Sequence, residues 1–185
     1  MREALKKNLP AIIIAVILIS LDQITKAIAR CTLTDSPFIL IDGVFEFRLV
    51  FNTGVAWGLF NSVSFLITVF SFILMFVISF LYYKMPKDNK RLRPLRIMLI
   101  LLFSGAVGNV IDRLFYSAVT DFLYFSLIDF PVFNIADCYV TVGGILTAVL
   151  LIFYYKDADF EFLKIKRSKK NREEDSSDPE KDETK

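Results

Sequence analysis

Histidine is absent from this 185-residue chain, and that absence removes several reaction classes at once. No Ser-His-Asp or Cys-His nucleophile system can be assembled, and no His-ligated zinc site. Cys31 and Cys138 are the only cysteines, too few for a thiolate metal site. Acid–base chemistry must therefore come from carboxylates, lysine or tyrosine. No metal, cofactor or nucleic-acid partner is expected. Charge is also missing from one long run, residues 63–83 (VSFLITVFSFILMFVISFLYY).

What is present is greasy. Hydrophobic residues make up 55% of the chain, 19 of them Phe, and the mean hydropathy is +0.51, too high for an ordinary soluble domain of this length. A bilayer core takes a helix of about 20 mostly apolar residues. Four stretches qualify, at about 11–29, 63–83, 95–114 and 135–155, the first beginning just after Pro10 as a helix start would. Basic residues set the orientation, because cytoplasmic segments carry the excess of Lys and Arg. Of the 22 Lys and Arg, only Lys26, Arg30, Arg48 and Arg113 fall in or near the two loops opposite the termini. The expected fold is an all-α integral membrane domain over residues 1–160, with four transmembrane helices, both termini cytoplasmic and a small extracytoplasmic β-hairpin or sheet. Residues 161–185 form a charged tail, expected to be disordered, whose basic start at 164–170 can touch anionic lipid headgroups. A cleavable leader ending before Cys31 is the rival reading of the N-terminus. Arg30 stands where such a site needs a small residue, and Asp22 and Lys26 interrupt the apolar core.

The hairpin expectation rests on Asp42-Gly43 between two β-type runs. In the second run Phe45, Phe47, Leu49 and Phe51 share one face and Glu46 and Arg48 the other; such a sheet can lie on the membrane, apolar face down. The other outward stretch, 119–133 (VTDFLYFSLIDFPVF), is too apolar to stand free in water. Continued as a helix it would carry Asp121 about 12 Å past Arg113; folded back along the interface, it keeps Asp121 near membrane level.

Ionisable residues within spans are costly and mark function by default. Span two has none. The others carry theirs toward the outer end: Asp22, Gln23, Thr25 and Lys26 in span one; Asn109, Asp112 and Arg113 in span three; Asn134 and Asp137 at the start of span four. Antiparallel neighbours bring these groups to one level. Each has a plainer explanation. Asp22 and Lys26 stand i,i+4 and can neutralise each other; Asp112 and Arg113 can pair at a helix end; Asn134 can cap span four, with Asp137 in the favourable field of its N-terminus. The Gly105-x-x-Gly108 and Gly143-Gly144 steps suit helix packing. Three such coincidences at one depth are less economical than one shared site. Two neighbouring carboxylates that share a proton can activate water and polarise a carbonyl, which points to aspartyl chemistry. Composition leaves the choice open among Asp22, Asp112, Asp121, Asp129 and Asp137.

Taken in order, five segments resemble the lipoprotein signal peptidases (signal peptidase II): Asp22-Gln23-Ile24-Thr25-Lys26; Asn52-Thr53-Gly54-Val55-Ala56-Trp57-Gly58; Gly108-Asn109-Val110-Ile111-Asp112-Arg113; Val119-Thr120-Asp121-Phe122; and Phe133-Asn134-Ile135-Ala136-Asp137. The resemblance covers roughly residues 10–155. It implies a catalytic pair at Asp121 and Asp137, with supporting roles for Asp22, Lys26, Asn52, Gly54, Asn109, Arg113 and Asn134. It also implies an aspartic endopeptidase of the bacterial cytoplasmic membrane, its site toward the outer face. Diacylglyceryl-modified prolipoproteins are then the substrates, cut just before the lipidated cysteine, and membrane lipids are the other partners. The chain departs from the family at Ser117, usually glycine, which bears on the local turn geometry, and at Trp57, often phenylalanine. The phenylalanine-rich hairpin and Trp57 are expected to border lipid or peptide. A small ion-coupled transporter, with Asp22 and Lys26 as a charge relay, is the alternative. It requires polar residues through the whole membrane depth, and the inner halves of these spans are apolar.

Overall fold

The computed structural model describes residues 2–54 and 61–163. Val55, Ala56, Trp57 and Gly58, and the tail from residue 164, lie outside the described residues. Four long helices and three strands are arranged in the order α1 (Arg2–Thr32), β1 (Phe38–Ile41), β2 (Phe45–Asn52), α2 (Asn61–Lys84), α3 (Arg93–Tyr116), β3 (Val119–Tyr124) and α4 (Ile135–Val149). Among the described residues, four helical stretches, Asn8–Thr32, Phe65–Lys84, Lys90–Tyr116 and Ile135–Phe153, are long and apolar enough to cross a membrane. Their outward surfaces are what a bilayer would solvate: Phe76 is 72% exposed and Phe153 81%. Helix α3 is the central one, with half of its most apolar stretch buried against the other elements.

Pro10 does not begin α1; the helix runs through it from Arg2. Proline removes a backbone donor and crowds the preceding turn, but the residues before it (REALKKNL) are mostly good helix formers and extend the helix over it. At the other end of the bundle, α4 continues into a wider helical turn at Leu150–Tyr154. There the Tyr155 hydroxyl donates to the Arg91 carbonyl at 3.1 Å and accepts from the Leu95 amide at 3.3 Å. Tyr155, Leu92, Leu95, Leu99, Ile78 and Met85 form a buried cluster at this end, onto which Phe160 and Phe162 pack.

The strands form one antiparallel sheet in the order β1-β2-β3, joining the two loops at the opposite end of the bundle. The hairpin closes at Asp42-Gly43. The Val44 amide donates to the Ile41 carbonyl at 3.0 Å, and Gly43 takes a φ of 66°, a conformation that glycine adopts without a side-chain clash. Residues 119–124 fold back as expected, and they do so as the third strand, pairing Val50 with Asp121 and Asn52 with Val119. Phe45, Phe47 and Leu49 pack on Ala29, Phe122 and Leu123. Strand β1 is the exposed apolar one, with Phe38, Ile39, Leu40 and Ile41 each more than half exposed.

Candidate active site

Close approach of three helices makes the site possible, and two glycines permit it. A Cβ on Gly105 would come within 2.6 Å of the Ala136 carbonyl oxygen, and one on Gly108 would collide with Asp22 Oδ2. Helix α3 therefore presses against α4 at the first glycine and α1 at the second. The same holds for Gly143 against Leu102 and Met98, whereas Gly144 faces nothing within 4 Å.

Asn134 begins α4 and links that helix to the rest of the site. Its side-chain oxygen accepts the Asp137 amide at 3.0 Å while its own amide donates to Asp137 Oδ2 at 3.1 Å, a reciprocal capping box. The Asn134 Nδ2 group is then free to face the other way. It donates to Asp121 Oδ1 at 2.6 Å and to Asn109 Oδ1 at 3.1 Å. Asn109, from α3, donates to Asp137 Oδ1 at 2.8 Å. Asn52, at the end of β2, donates to Asp121 Oδ2 at 2.9 Å, and the Gly54 amide holds the Asn52 oxygen at 2.9 Å. Gly54 needs its identity, because its φ is 75° and a Cβ would meet Ile67 at 3.1 Å. Each oxygen of Asp121 and Asp137 thus accepts one hydrogen bond, and one buried residue, Asn134, reaches both carboxyl groups, Asp121 through its side-chain amide and Asp137 through its backbone amide.

The two differ in exposure. Asp121 is 2% exposed, while Asp137 and Asn109 are half-buried and Asn52 is open to the outside. Burial pushes the Asp121 carboxyl up from 3.8 to about 6; donation from Asn52 and Asn134 moderates the rise and the charge of Asp137 adds to it. Arg113 lies one helical turn from Asn109, donates to its carbonyl at 3.4 Å, and places its charge where it acts on Asp137, Asp121 and Asp112.

Behind this pair lies a charge cluster. Lys26 is fully buried, 2.9 Å from Asp22 Oδ2 and 3.6 Å from Asp112 Oδ2, and donates to Asn109 Oδ1 at 2.9 Å. Arg30, one turn on, stands 3.8 Å from Asp112 Oδ1. Two carboxylates thus face two cations, and the remaining lone pairs are used. Asp22 accepts the Ala136 amide at 2.9 Å, Asp112 accepts the Thr120 amide at 2.8 Å, and Gln23 donates to both carboxylates, at 3.1 and 3.3 Å. Buried charges persist only with such complete pairing.

The nine residues expected from sequence therefore meet in one region: Asp121, Asp137, Asn52, Asn109 and Asn134 in direct contact, Gly54 behind Asn52, and Asp22, Lys26 and Arg113 alongside. The i,i+4 pairing of Asp22 with Lys26 is real, yet it serves the same network. Asp112 turns to Lys26 and the Thr120 amide rather than to Arg113, and Asp129 accepts from the Tyr124 hydroxyl at 2.5 Å, away from the site. Sequence reasoning passed over Arg30 and Thr120. The Lys26-to-Arg30 spacing, which continues the Asp22–Lys26 face by one more turn, is the signal that pointed to Arg30. Cys31 and Cys138 are both free.

A family model described as "Signal peptidase (SPase) II" matches residues 14–153. The lipoprotein signal peptidase of Clostridium tetani is 39% identical over 160 residues, covering 83% of this chain and 97% of the relative. That of Fusobacterium nucleatum is 38% identical over 144 residues, covering 77% and 86%. A solved structure, "Bacterial membrane enzyme structure by the in meso method at 1.9 A resolution", superposes with a TM-score of 0.68 at 31% identity, covering 79% of this chain and 94% of that one.

Proposed function

Because this chain belongs to the signal peptidase II family, and so is an aspartic peptidase that processes lipoprotein precursors, we propose that Asp121 and Asp137 are the carboxyl groups that cut the peptide bond. The observation that carries this assignment is the bridging of both by Asn134. The charge of Asp137 acts on Asp121, and neighbouring carboxyl groups that repel each other hold one proton between them. Asp121, raised to about 6 by burial, is the member that holds it, and Asp137, at the N-terminus of α4, carries the charge. Asp137 takes a proton from water as the water oxygen attacks the scissile carbonyl carbon, and Asp121 protonates the carbonyl oxygen. As the tetrahedral intermediate collapses, Asp121 takes back a proton from one of its hydroxyls, the carbon–nitrogen bond breaks, and the proton that Asp137 took from water passes to the leaving amine. Asn52, Asn109 and Asn134 hold the carboxyl groups at fixed angles, and Arg113 offsets the negative charge.

The substrates are prolipoproteins whose cysteine carries diacylglyceryl, cut just before that cysteine. Support comes from depth. The polar groups gather at one end of the apolar helices, at the level where a glyceryl group would sit. With the basic segments cytoplasmic, this end faces outward across the bacterial cytoplasmic membrane. The transporter alternative is not supported: the matching relatives are peptidases.

The test uses one precursor in two forms, diacylglyceryl-modified and free thiol, with the parent and with Asp121→Asn and Asp137→Asn. Both variants insert and fold but release no signal peptide, and the parent cuts the modified form much faster. Two acyl chains add anchoring of about 0.8 kcal/mol per buried methylene and set the depth of the bond. Cleavage by either variant within a few-fold of the parent overturns the pair; equal rates on the two precursors overturn the lipid requirement.

A further inference from the structure

Arg30 touches both sides of the turn that delivers Asp121. Helix α3 ends at Tyr116, Ser117 turns the chain, and β3 begins at Val119. Ser117 sits at φ 57°, ψ 11°, the left-handed region, with its amide donating to the Arg113 carbonyl at 3.1 Å. This conformation favours glycine, because a side chain there meets its own backbone. Serine therefore leaves the turn without the support that glycine would give it. From α1, the Arg30 guanidinium lies 4.3 Å over the Tyr116 ring, on the helix side of the turn, and donates to Thr120 Oγ1 at 2.8 Å, on the strand side. Asp112 completes the arrangement, accepting the Thr120 amide at 2.8 Å with Arg30 3.8 Å away.

The alternation of a strand explains why this bears on chemistry. Successive side chains point to opposite faces, so holding fully buried Thr120 toward α1 aims Asp121 at Asn52 and Asn134. A shift of one residue would exchange them. We propose that Arg30 is a positioning residue, a clamp across the Ser117 turn that sets the register and angle of β3 and so aims Asp121. It touches neither Asp121 nor Asp137. The proposal rests on Asp121 being one of the catalytic pair, and it accounts for a chain that lacks glycine at the turn.

The test measures kcat and KM per mole of folded protein on a diacylglyceryl-modified precursor. The variants are Arg30→Gln, Arg30→Lys, Ser117→Gly and Arg30→Gln with Ser117→Gly; Asp121→Asn is the control. Arg30→Gln lowers kcat about ten- to a hundredfold, the range expected of a small misplacement of a reacting group, and leaves KM within about twofold. Arg30→Lys, which can still donate to Thr120, recovers part of the loss. The double variant also recovers part of it, because glycine holds the turn unaided, and Ser117→Gly alone stays near the parent. An unchanged kcat in Arg30→Gln with an inactive Asp121→Asn overturns the clamp and leaves the catalytic pair standing. The same holds if the loss is not reduced by Ser117→Gly. An active Asp121→Asn overturns the pair itself.

Discussion

Replacing Lys26 with methionine separates the two duties of the buried charge cluster. The ammonium stands 2.9 Å from Asp22 and 3.6 Å from Asp112, both fully buried. With an effective dielectric of about 20, Coulomb's law assigns roughly 6 and 5 kcal/mol to these pairs. Desolvation of the lysine cancels much of that, and removing one partner of a buried pair costs about 3–5 kcal/mol, because the other charge is left uncompensated. Here Asp22 loses the cation beside it, and Asp112 keeps Arg30 at 3.8 Å. The expected outcome is a large fall in unfolding temperature in detergent. Lys26→Met with Asp22→Asn should recover at least half of it by removing the stranded charge. Catalysis should not recover. Lys26 also donates to Asn109 Oδ1, and the opposite end of that amide donates to Asp137. Without Lys26 the amide loses one of the two donors that fix its orientation, and cleavage by either variant should fall on the order of ten- to a hundredfold. A single variant that melts with the parent, or a double variant with parental kcat, refutes the reasoning.

Gly108→Ala places a methyl group on the Asp22 carboxylate, and because that carboxylate is pinned by Lys26 it cannot retreat; stability should fall by at least the roughly 1–3 kcal/mol typical of overpacking, measured by thermal unfolding, with Gly144→Ala as a control that meets nothing. The pH dependence has a defined sign. Asp121 is raised on folding from 3.8 to about 6, so the folded state binds more protons over that window. Its contribution to stability is greatest at the acid end, is lost as pH rises from about 4 to 6, and is flat above. With Asp121 as the proposed acid, kcat/KM of the free enzyme should fall as pH rises through about 6, and a profile with no limb in that region removes Asp121 from that role.

The four spans were determined by the chain alone, because a bilayer demands about 20 apolar residues whatever their neighbours. Residues 63–83, 95–114 and 135–155 correspond to the observed helices within a few residues. The hairpin at Asp42-Gly43 was equally local, a matter of turn chemistry. The clustering of Asp22, Lys26, Asn109, Arg113, Asn134 and Asp137 was also legible in the sequence, since antiparallel spans bring the ends that carry these residues to one side of the bundle. What one dimension does not contain is the register in which 119–124 pairs with β2, and that register decides where Asp121 points. It set the hairpin's apolar side on Phe122 and made Thr120 the anchor opposite Asp121. Pro10 reads as a helix start only until the helix on either side is seen to continue. The choice between Asp112 and Asp137 was likewise tertiary. Both are acidic and both end a polar cluster, but only one meets Asn134 across a capping box, while the other is drawn to Lys26 and the Thr120 amide. Carboxylates take their roles from the donors around them, and those donors come from four segments spread over more than a hundred residues of chain.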